Sequence, residues 1–244
     1  MSNSATATKP ARPVRTTGVL NETVPSFDDA KFGFRSIRAR YRDKPGRLLR
    51  AIDPFAGELV EFSTPLQYEN WLLRRFDPSV IYIDPSHDSW EVLHCGEQLS
   101  IRPHLHWAGW SDKGFLEIVE EPGRKVSNPV LDSLAIIANA HGLKPLVRVA
   151  AQVRADPELL DFLDRTRQRL VHYMHEIRDT GLRRSVLAAA SRPGATRADV
   201  VAALDRYLNE QAVDAVLFWL RQTGAVHFDI KGGRYDDRTA VSAA

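Results

Sequence analysis

Residues 63–80 constrain the fold most, because they carry the start and stop signals of one helix and lead into a strand. Ser63 or Thr64 can cap this helix, and Pro65 suits its first turn. Apolar residues then recur at roughly helical spacing until Pro78 ends the helix. The stretch therefore predicts an amphipathic helix that is followed directly by a strand.

Short strand-like runs follow, each bounded by turn formers. They are residues 80–83, 90–93, 99–102, 105–107 and 115–119. The last two runs predict a hairpin. Residues 128–142 then predict an amphipathic helix, residues 145–150 a strand, and Pro157 the start of a second helix. Together these elements predict an α/β domain with a mixed sheet over residues 31–170.

The remaining residues, 171–244, predict a separate module of three helices and a terminal hairpin. The helices are expected at residues 182–191, 197–208 and 210–224, and the hairpin turn at Gly232 and Gly233. This order is typical of a winged helix, which binds DNA in some proteins and docks other proteins elsewhere. Glu210, Asp214 and Trp219 dominate the side of the third helix that is expected to be exposed, so this helix is expected to read a DNA groove poorly.

Composition limits the cellular setting. Cys95 is the only cysteine, which excludes an internal disulfide and a cysteine-based zinc cluster and fits a reducing cytoplasm. No apolar run approaches the length of a membrane span. Residues 1–30 lack the apolar block of a secretory signal and predict a disordered tail. We therefore expect a cytoplasmic protein without a membrane partner.

Positive charge is concentrated near the N-terminus. Residues 1–50 hold 11 Lys/Arg against 4 Asp/Glu, whereas the whole chain has a formal charge of only +2. Seven of these bases form a candidate DNA-binding arm: Arg35, Arg38, Arg40, Arg42, Lys44, Arg47 and Arg50. Such an arm can contact phosphates, but a solvated basic strand or loop has the same composition. Charge alone leaves both interpretations open.

Several short motifs occur in an order that resembles a known family. Residues 63–67 (STPLQ) correspond to an S-x-x-L-E motif, 77–80 (DPSV) to D-P-x-V, 103–105 (PHL) to P-D-[FL] and 117–119 (EIV) to E-x-K. The chain resembles the TnsA-type endonuclease subunit of heteromeric transposases. That resemblance implies a restriction-endonuclease-like domain followed by a C-terminal winged helix. It also implies three partners: transposon-end DNA, a DDE-type transposase and an AAA-type ATPase.

The resemblance places the family's catalytic positions on Gln67, His104, Glu117 and Val119. In the family, carboxylates at such positions hold Mg²⁺ and a lysine assists the attacking water. Only Glu117 keeps its chemistry here, so no catalytic residue set is intact and ordinary Mg²⁺-dependent cleavage is not expected. Glu117 and His104 remain the candidate metal ligands. We expect no cofactor, and Mg²⁺ or Mn²⁺ only if a rearranged site is active.

The resemblance, together with the replaced catalytic positions, implies a cleavage-deficient subunit that holds transposon ends or bridges its partner proteins. The first alternative is an active endonuclease with a rearranged site. Its substitute acid would be Glu61, reaching from the preceding strand, and its substitute lysine would be Lys113 or Lys125 after a loop rearrangement. Glu69 is turned away from the site by roughly 200°. His104 and His106 form an H-x-H pair that could chelate a transition metal with Glu117, but the pattern favours ordinary strand histidines. The second alternative is a winged-helix DNA-binding regulator.

Overall fold

The computed structural model describes residues 49–85, 90–94, 97–109, 114–204, 209–230 and 233–244. These residues divide into two compact units. Unit 1 comprises residues 64–75 and 79–155, and unit 2 comprises residues 49–63, 76–78 and 156–244, with the gaps just given. The predicted tail at residues 1–30 and six of the seven candidate arm residues lie outside the described residues; only Arg50 lies within them.

The structure is mixed α/β. Its strands are β1 (Leu49–Ile52), β2 (Leu59–Phe62), β3 (Val80–Asp84), β4 (Trp90–His94), β5 (Glu97–Ile101), β6 (Leu105–Gly109), β7 (Phe115–Glu120), β8 (Lys144–Val149), β9 (Val226–His227) and β10 (Ser242–Ala243). Its helices are α1 (Pro65–Arg75), α2 (Asn128–Ala140), α3 (Ala150–Val153), α4 (Pro157–His172), α5 (Met174–Arg178), α6 (Thr180–Ala190), α7 (Arg197–Leu204) and α8 (Glu210–Gln222). In the part of the chain that is described, no helix has the length and apolar character needed to cross a bilayer.

Unit 1 is built on a four-stranded mixed sheet in the order β3-β6-β7-β8. The pairs β3/β6 and β6/β7 are antiparallel, whereas β7/β8 is parallel. Parallel neighbours need a crossover connection, and α2 supplies it between β7 and β8. The strands β4 and β5 form a separate antiparallel pair.

Alternation along β7 sends its side chains to two different environments. Leu116 and Ile118 join a buried cluster with Leu134 and Ile137 of α2 and with residues of β4 and β5. The intervening residues face the other way, where Val119 packs against Leu66 of α1 and Val153 of α3. The sheet of unit 1 therefore lies between α2 on one face and α1 on the other.

Local signals explain where α1 and α4 begin. The Oγ1 atom of Thr64 accepts a hydrogen bond from the backbone N–H of Gln67 at 3.2 Å, so Thr64 makes the capping bond that the sequence assigned to Ser63 or Thr64. At α4, Asp156 caps the helix by accepting from Leu159 N–H at 2.9 Å. Both helices begin with a proline, whose missing N–H costs nothing at that position.

Unit 2 packs α4 to α7 and β9 around α8. Most of α8 is buried, including Val216, Leu217 and Phe218. The Phe218 ring lies 5.0 Å from that of Phe228 and 4.9 Å from that of Tyr235. Residues 49–62 add the antiparallel hairpin β1/β2. The core of unit 2 is therefore a helical and aromatic core centred on one helix.

The predicted helices at α1, α2, α4, α6 and α8 are confirmed, as is the start of α7. The predicted end of α7 lies outside the described residues, as do the loop at 110–113 and Gly232. The sequence predicted C-terminal strands at residues 225–230 and 234–242, but the strands are shorter, because only residues 226–227 and 242–243 pair. The contacts group α4 with the C-terminal helices. The predicted domain boundary at residue 170 stays a prediction.

Candidate functional site

Glu117 is the centre of a buried polar cluster in unit 1. Its side chain lies on β7 and is 0% exposed. Oε1 accepts a hydrogen bond from Nδ2 of Asn70 at 3.0 Å. Oε2 accepts from Nε1 of Trp107 at 2.6 Å and from Nε of Arg74 at 3.2 Å. The chain thus supplies three N–H donors to one carboxylate, which offset the cost of burying its charge.

A second arginine joins this cluster through Asn70. The Asn70 side chain is 1% exposed, and its Oδ1 atom accepts from Nη1 of Arg148 at 2.8 Å. Arg148 lies on β8 in register with Val119, so it shares the sheet face of Glu117. Asn70 therefore connects the buried carboxylate to a guanidinium on the neighbouring strand.

Trp107 holds the Arg74 guanidinium in place. The Arg74 guanidinium carbon lies 4.2 Å from the centre of the Trp107 ring system, in cation–π contact. The same ring system stacks on Phe115 at 4.2 Å with an interplanar angle of 14°. Arg74 is therefore fixed both by its Nε bond to Glu117 and by the aromatic surface beneath it. We call Asn70, Arg74, Trp107, Glu117 and Arg148 the Glu117 cluster.

Three of the four positions that the resemblance assigned, His104, Glu117 and Val119, meet directly. The backbone N–H of His104 donates to the carbonyl of Glu117, and the Nδ1 atom of His104 accepts from the backbone N–H of Val119, both at 2.8 Å. Burial, with a smaller contribution from Arg102, lowers the pKa of His104 to about 4. His104 is therefore neutral at neutral pH, with Nδ1 engaged by the backbone.

Val119, at the family's lysine position, is 3% exposed in the apolar cluster with Leu66 and Val153. Gln67 lies in the first turn of α1, three residues before Asn70, and its side chain is half-buried. Glu117 and Val119 thus lie on β7, His104 lies beside that strand, and Gln67 lies on helix α1, which covers it. The charged groups that accompany them are arginines.

Glu61, the acid considered as a substitute, and Glu69, the acid predicted to be turned away, both pair with arginines outside the Glu117 cluster. Oε1 of Glu61 accepts from Nε of Arg50 at 2.6 Å, within the β1/β2 hairpin. Oε2 of Glu69 accepts from Nε of Arg154 at 2.6 Å. Lys125 is exposed on the loop before α2. Lys113 lies outside the described residues, so its prediction has no structural counterpart.

His106 lies on the face opposite Glu117. It pairs with Leu116 on β7, and paired residues share a face. Its ring packs edge-on against Tyr82 at 5.1 Å. Burial lowers the pKa of His106, while Asp84 opposes that shift and His141 adds to it. The geometry therefore does not bring His104, His106 and Glu117 together as one chelating set.

The Glu117 cluster does not suit a Mg²⁺ ion. Magnesium requires several oxygen ligands in an octahedral arrangement, and both Glu117 oxygens already accept N–H bonds. Two guanidinium groups adjoin the carboxylate and would repel a cation. Among the residues that the structure describes, no group of three or more His, Cys, Asp or Glu is placed to hold a metal ion.

Sequence reasoning named Glu117 but missed the residues that surround it. Asn70 and Arg74 occupy the same face of α1, one turn apart, and Arg148 interrupts the apolar run of residues 145–149. A charged residue within an apolar strand is the one local signal that could have drawn attention to the site. Nothing local indicates that these residues share one carboxylate.

In unit 2, the prediction that Asp214 is exposed is wrong. The sequence placed it on the exposed side of α8, but it is 2% exposed. Nε and Nη2 of Arg197 donate to its two oxygens at 2.8 and 3.0 Å. Arg169 and the Tyr235 hydroxyl also donate to it, both at 3.0 Å. Asp214 is therefore buried as the acceptor of a network that joins α4, α7, α8 and the C-terminal segment, and it does not contribute to an exposed acidic surface.

Of the candidate arm, Arg50 is described. It is exposed on β1 and forms an ion pair with Glu61 on the adjacent strand. A pair of this kind contributes little to stability and leaves Arg50 accessible. Its role in binding DNA stays a prediction.

Comparisons with protein-family models, with curated proteins and with solved structures gave no match to this chain.

Proposed function

We propose that this chain is a TnsA-like subunit of a heteromeric DNA transposase that does not cut DNA itself. It acts in binding transposon ends or in assembly with a DDE-type transposase and an AAA-type ATPase. The proposal joins the family resemblance of the sequence to the chemistry of the Glu117 cluster. In its terms, unit 1 corresponds to the restriction-endonuclease-like domain, and the C-terminal helices and strands correspond to the winged helix.

One observation carries the proposal: the acid at the family's catalytic position is used as an internal hydrogen-bond acceptor. Glu117 receives N–H bonds from Asn70, Trp107 and Arg74. The lysine position is Val119, which packs among apolar side chains. Cleavage by the family mechanism needs free carboxylate oxygens and a cation beside the water. This arrangement offers neither.

The order of elements also supports the proposal. In unit 1, α1 precedes a mixed sheet whose last two strands are parallel and joined by a crossover helix. This fits the mixed-sheet nuclease domain that the resemblance implies. In unit 2, α6, α7 and α8 precede the short antiparallel pair β9/β10, which fits three helices and a wing.

A cleavage assay tests the first half of the proposal. Supercoiled and end-labelled DNA carrying transposon ends would be incubated with the protein, Mg²⁺ or Mn²⁺, the transposase and the ATPase. We expect no strand cut that depends on this subunit. The matched variants are Glu117→Ala and Glu120→Ala, two acids of the same strand on opposite faces. Turnover that persists in Glu120→Ala but disappears in Glu117→Ala, at a temperature where a thermal melt shows Glu117→Ala to be folded, would establish an active nuclease and overturn the proposal.

A binding assay tests the second half. Affinity for transposon-end and random duplexes would be compared over a salt series, with and without the transposase. A subunit of an assembly should prefer transposon ends only when its partner is present. A strong preference for one operator sequence without any partner would instead indicate the winged-helix regulator.

A further inference from the structure

The Glu117 cluster contains one more positive charge than negative charge. Arg74 and Arg148 both belong to the cluster, and Glu117 is its single carboxylate. Other carboxylates on these elements have different partners: Glu69 pairs with Arg154, and Glu121 accepts from the Thr64 hydroxyl. A guanidinium that is half-buried and not neutralised is unfavourable unless an anion accompanies it.

The two arginines retain unused hydrogen-bond donors. Arg74 uses only Nε, and its Nη1 and Nη2 atoms have no hydrogen-bond partner within the described part of the chain, although 17% of the side chain is exposed. Arg148 uses Nη1 on Asn70 and makes a long contact of 3.4 Å from Nη2 to the carbonyl of Gln152. Guanidinium groups in this state bind oxyanions through two parallel N–H bonds.

The cluster also fixes these donors before any ligand arrives. Glu117 and the Trp107 ring system together hold the Arg74 plane, and Asn70 holds Arg148. A ligand therefore meets groups whose side-chain freedom is already reduced, which lowers the entropic cost of binding. A solvated surface arginine lacks this advantage.

We infer that Arg74 and Arg148 form a metal-free site for a backbone phosphodiester of duplex DNA, on the sheet face where the family's nucleases would hold a metal ion. This inference rests on the proposed function and deepens it. The phosphate oxygens would accept from the open N–H groups of both arginines and neutralise the excess charge. The site would thus hold the DNA backbone in place without cutting it, and it would carry no base specificity.

The protonation equilibrium of Arg148 agrees with this geometry. Burial lowers the pKa of Arg148, the neighbouring Arg74 charge lowers it further, and Glu117 opposes both. The charged form of Arg148 is therefore destabilised when no anion is present. A bound phosphate would remove the dominant electrostatic repulsion in the cluster.

The test measures how the full-length protein, with the transposase present, binds a transposon-end duplex over a salt series. We expect Arg148→Ala to weaken binding by tenfold or more, the effect of about one lost charge-assisted hydrogen bond. The slope of log affinity against log salt should fall by about 0.9 for one lost phosphate contact. Arg148→Lys keeps the charge but not the fork, so its slope should match the wild type with an intermediate affinity.

The control is Arg124→Ala, which removes the same charge from an exposed position of unit 1 outside the cluster. We expect it to change affinity by less than about twofold, since exposed charges contribute weakly. An equal loss in both alanine variants would show a net-charge effect and overturn the inference. Thermal melts of each variant show whether it folds. If Arg148→Ala does not fold, Arg148→Lys becomes the deciding variant. A DNA affinity of Arg148→Lys equal to that of the wild type would then overturn the inference.

Two further arms separate the ligand sources. Binding at matched ionic strength should be the same with EDTA as with Mg²⁺, and a requirement for Mg²⁺ would overturn the metal-free site. Inorganic phosphate should raise the melting temperature of the wild type more than that of Arg148→Ala. If phosphate does so but Arg148→Ala leaves DNA affinity unchanged, the site takes free phosphate only and the DNA assignment is wrong.

The same data distinguish failure of this inference from failure of the proposed function. Transposon-end binding that survives Arg148→Ala would retain the proposed function and remove the phosphate site. If the wild type shows no partner-dependent DNA binding at all, both the proposed function and the phosphate site are ruled out. The two results are read from one titration.

Discussion

Replacing Glu117 with alanine should destabilise unit 1 even when no metal is present. The change deletes the acceptor of three N–H bonds, from Asn70, Trp107 and Arg74. Asn70 is 1% exposed and Trp107 is 8% exposed, so water reaches their donors poorly. The Arg74 guanidinium would also lose its counter-charge while 17% of its side chain remains exposed.

The expected loss follows from these contacts. Removing one partner of a buried ion pair costs about 3–5 kcal/mol, because the other charge is left uncompensated. The Asn70 and Trp107 donors would each be left without an acceptor at a cost on the order of 1–3 kcal/mol, so together about 2–6 kcal/mol, a range that overlaps the first estimate. For a protein of this size, the melting temperature should fall by roughly 10 °C.

Thermal and urea unfolding, each in EDTA and in Mg²⁺, measure this loss. The matched control is Glu120→Ala, which removes an acid from the same strand that accepts one bond, from Val126 N–H at 3.0 Å. We expect the control to cost about 1 kcal/mol. Equal stability of Glu117→Ala and the wild type in EDTA, with a Mg²⁺-dependent difference between them, would refute the structural role and indicate a metal ligand.

Three other predictions concern stability. Asp214→Ala should cost about 1.5–3 kcal/mol, because Arg197, Arg169 and the Tyr235 hydroxyl lose a buried acceptor while Arg197 keeps its ion pairs with Glu210 and Asp237. A loss under about 1 kcal/mol in urea unfolding would contradict this. The pKa of His104 is about 4 in the folded state and about 6.5 in the unfolded state. The free energy of unfolding should therefore be unaffected above about pH 6.5 and should fall as the pH drops towards 4, by at most about 1.4 kcal/mol per pH unit. His104→Gln should flatten that slope in unfolding measured as a function of pH. Gly233→Ala should destabilise more than Gly123→Ala in thermal melts. Both glycines have positive φ, of 68° and 74°, but only at 233 would the new Cβ lie 2.8 Å from a backbone carbonyl oxygen of α4; equal losses would refute the contribution of that close approach.

Helices and strands were predictable where their signals are local. The cap at Thr64, the proline after it and the stop at Pro78 define α1 within a few residues, and the structure agrees. The C-terminal strands were predicted less well. Their pairing at residues 226–227 and 242–243 depends on contacts across the intervening chain, which local alternation does not encode.

Asp214 shows the same limit for a single side chain. Its position on α8 suggested solvent exposure, because acids on helices usually face water. Arg197 and Arg169 come from other helices and meet it only after the chain folds. Burial of an acid depends on such partners, and partners that are distant in sequence leave no periodic signal.

The sequence by itself determined most of the longer helices and the strands of the unit 1 sheet, and it determined that a glutamine, a histidine and a valine stand where the resemblance places two carboxylates and a lysine. Only the tertiary structure decided which groups surround the remaining acid, Glu117. Glu117 meets Asn70 and Arg74 because α1 crosses β7, and it is linked to Arg148 because β8 pairs with β7 in one register. Hydrogen-bond partners of a buried charge are fixed by packing between elements far apart in the chain, so the sequence could name the residue but not its environment.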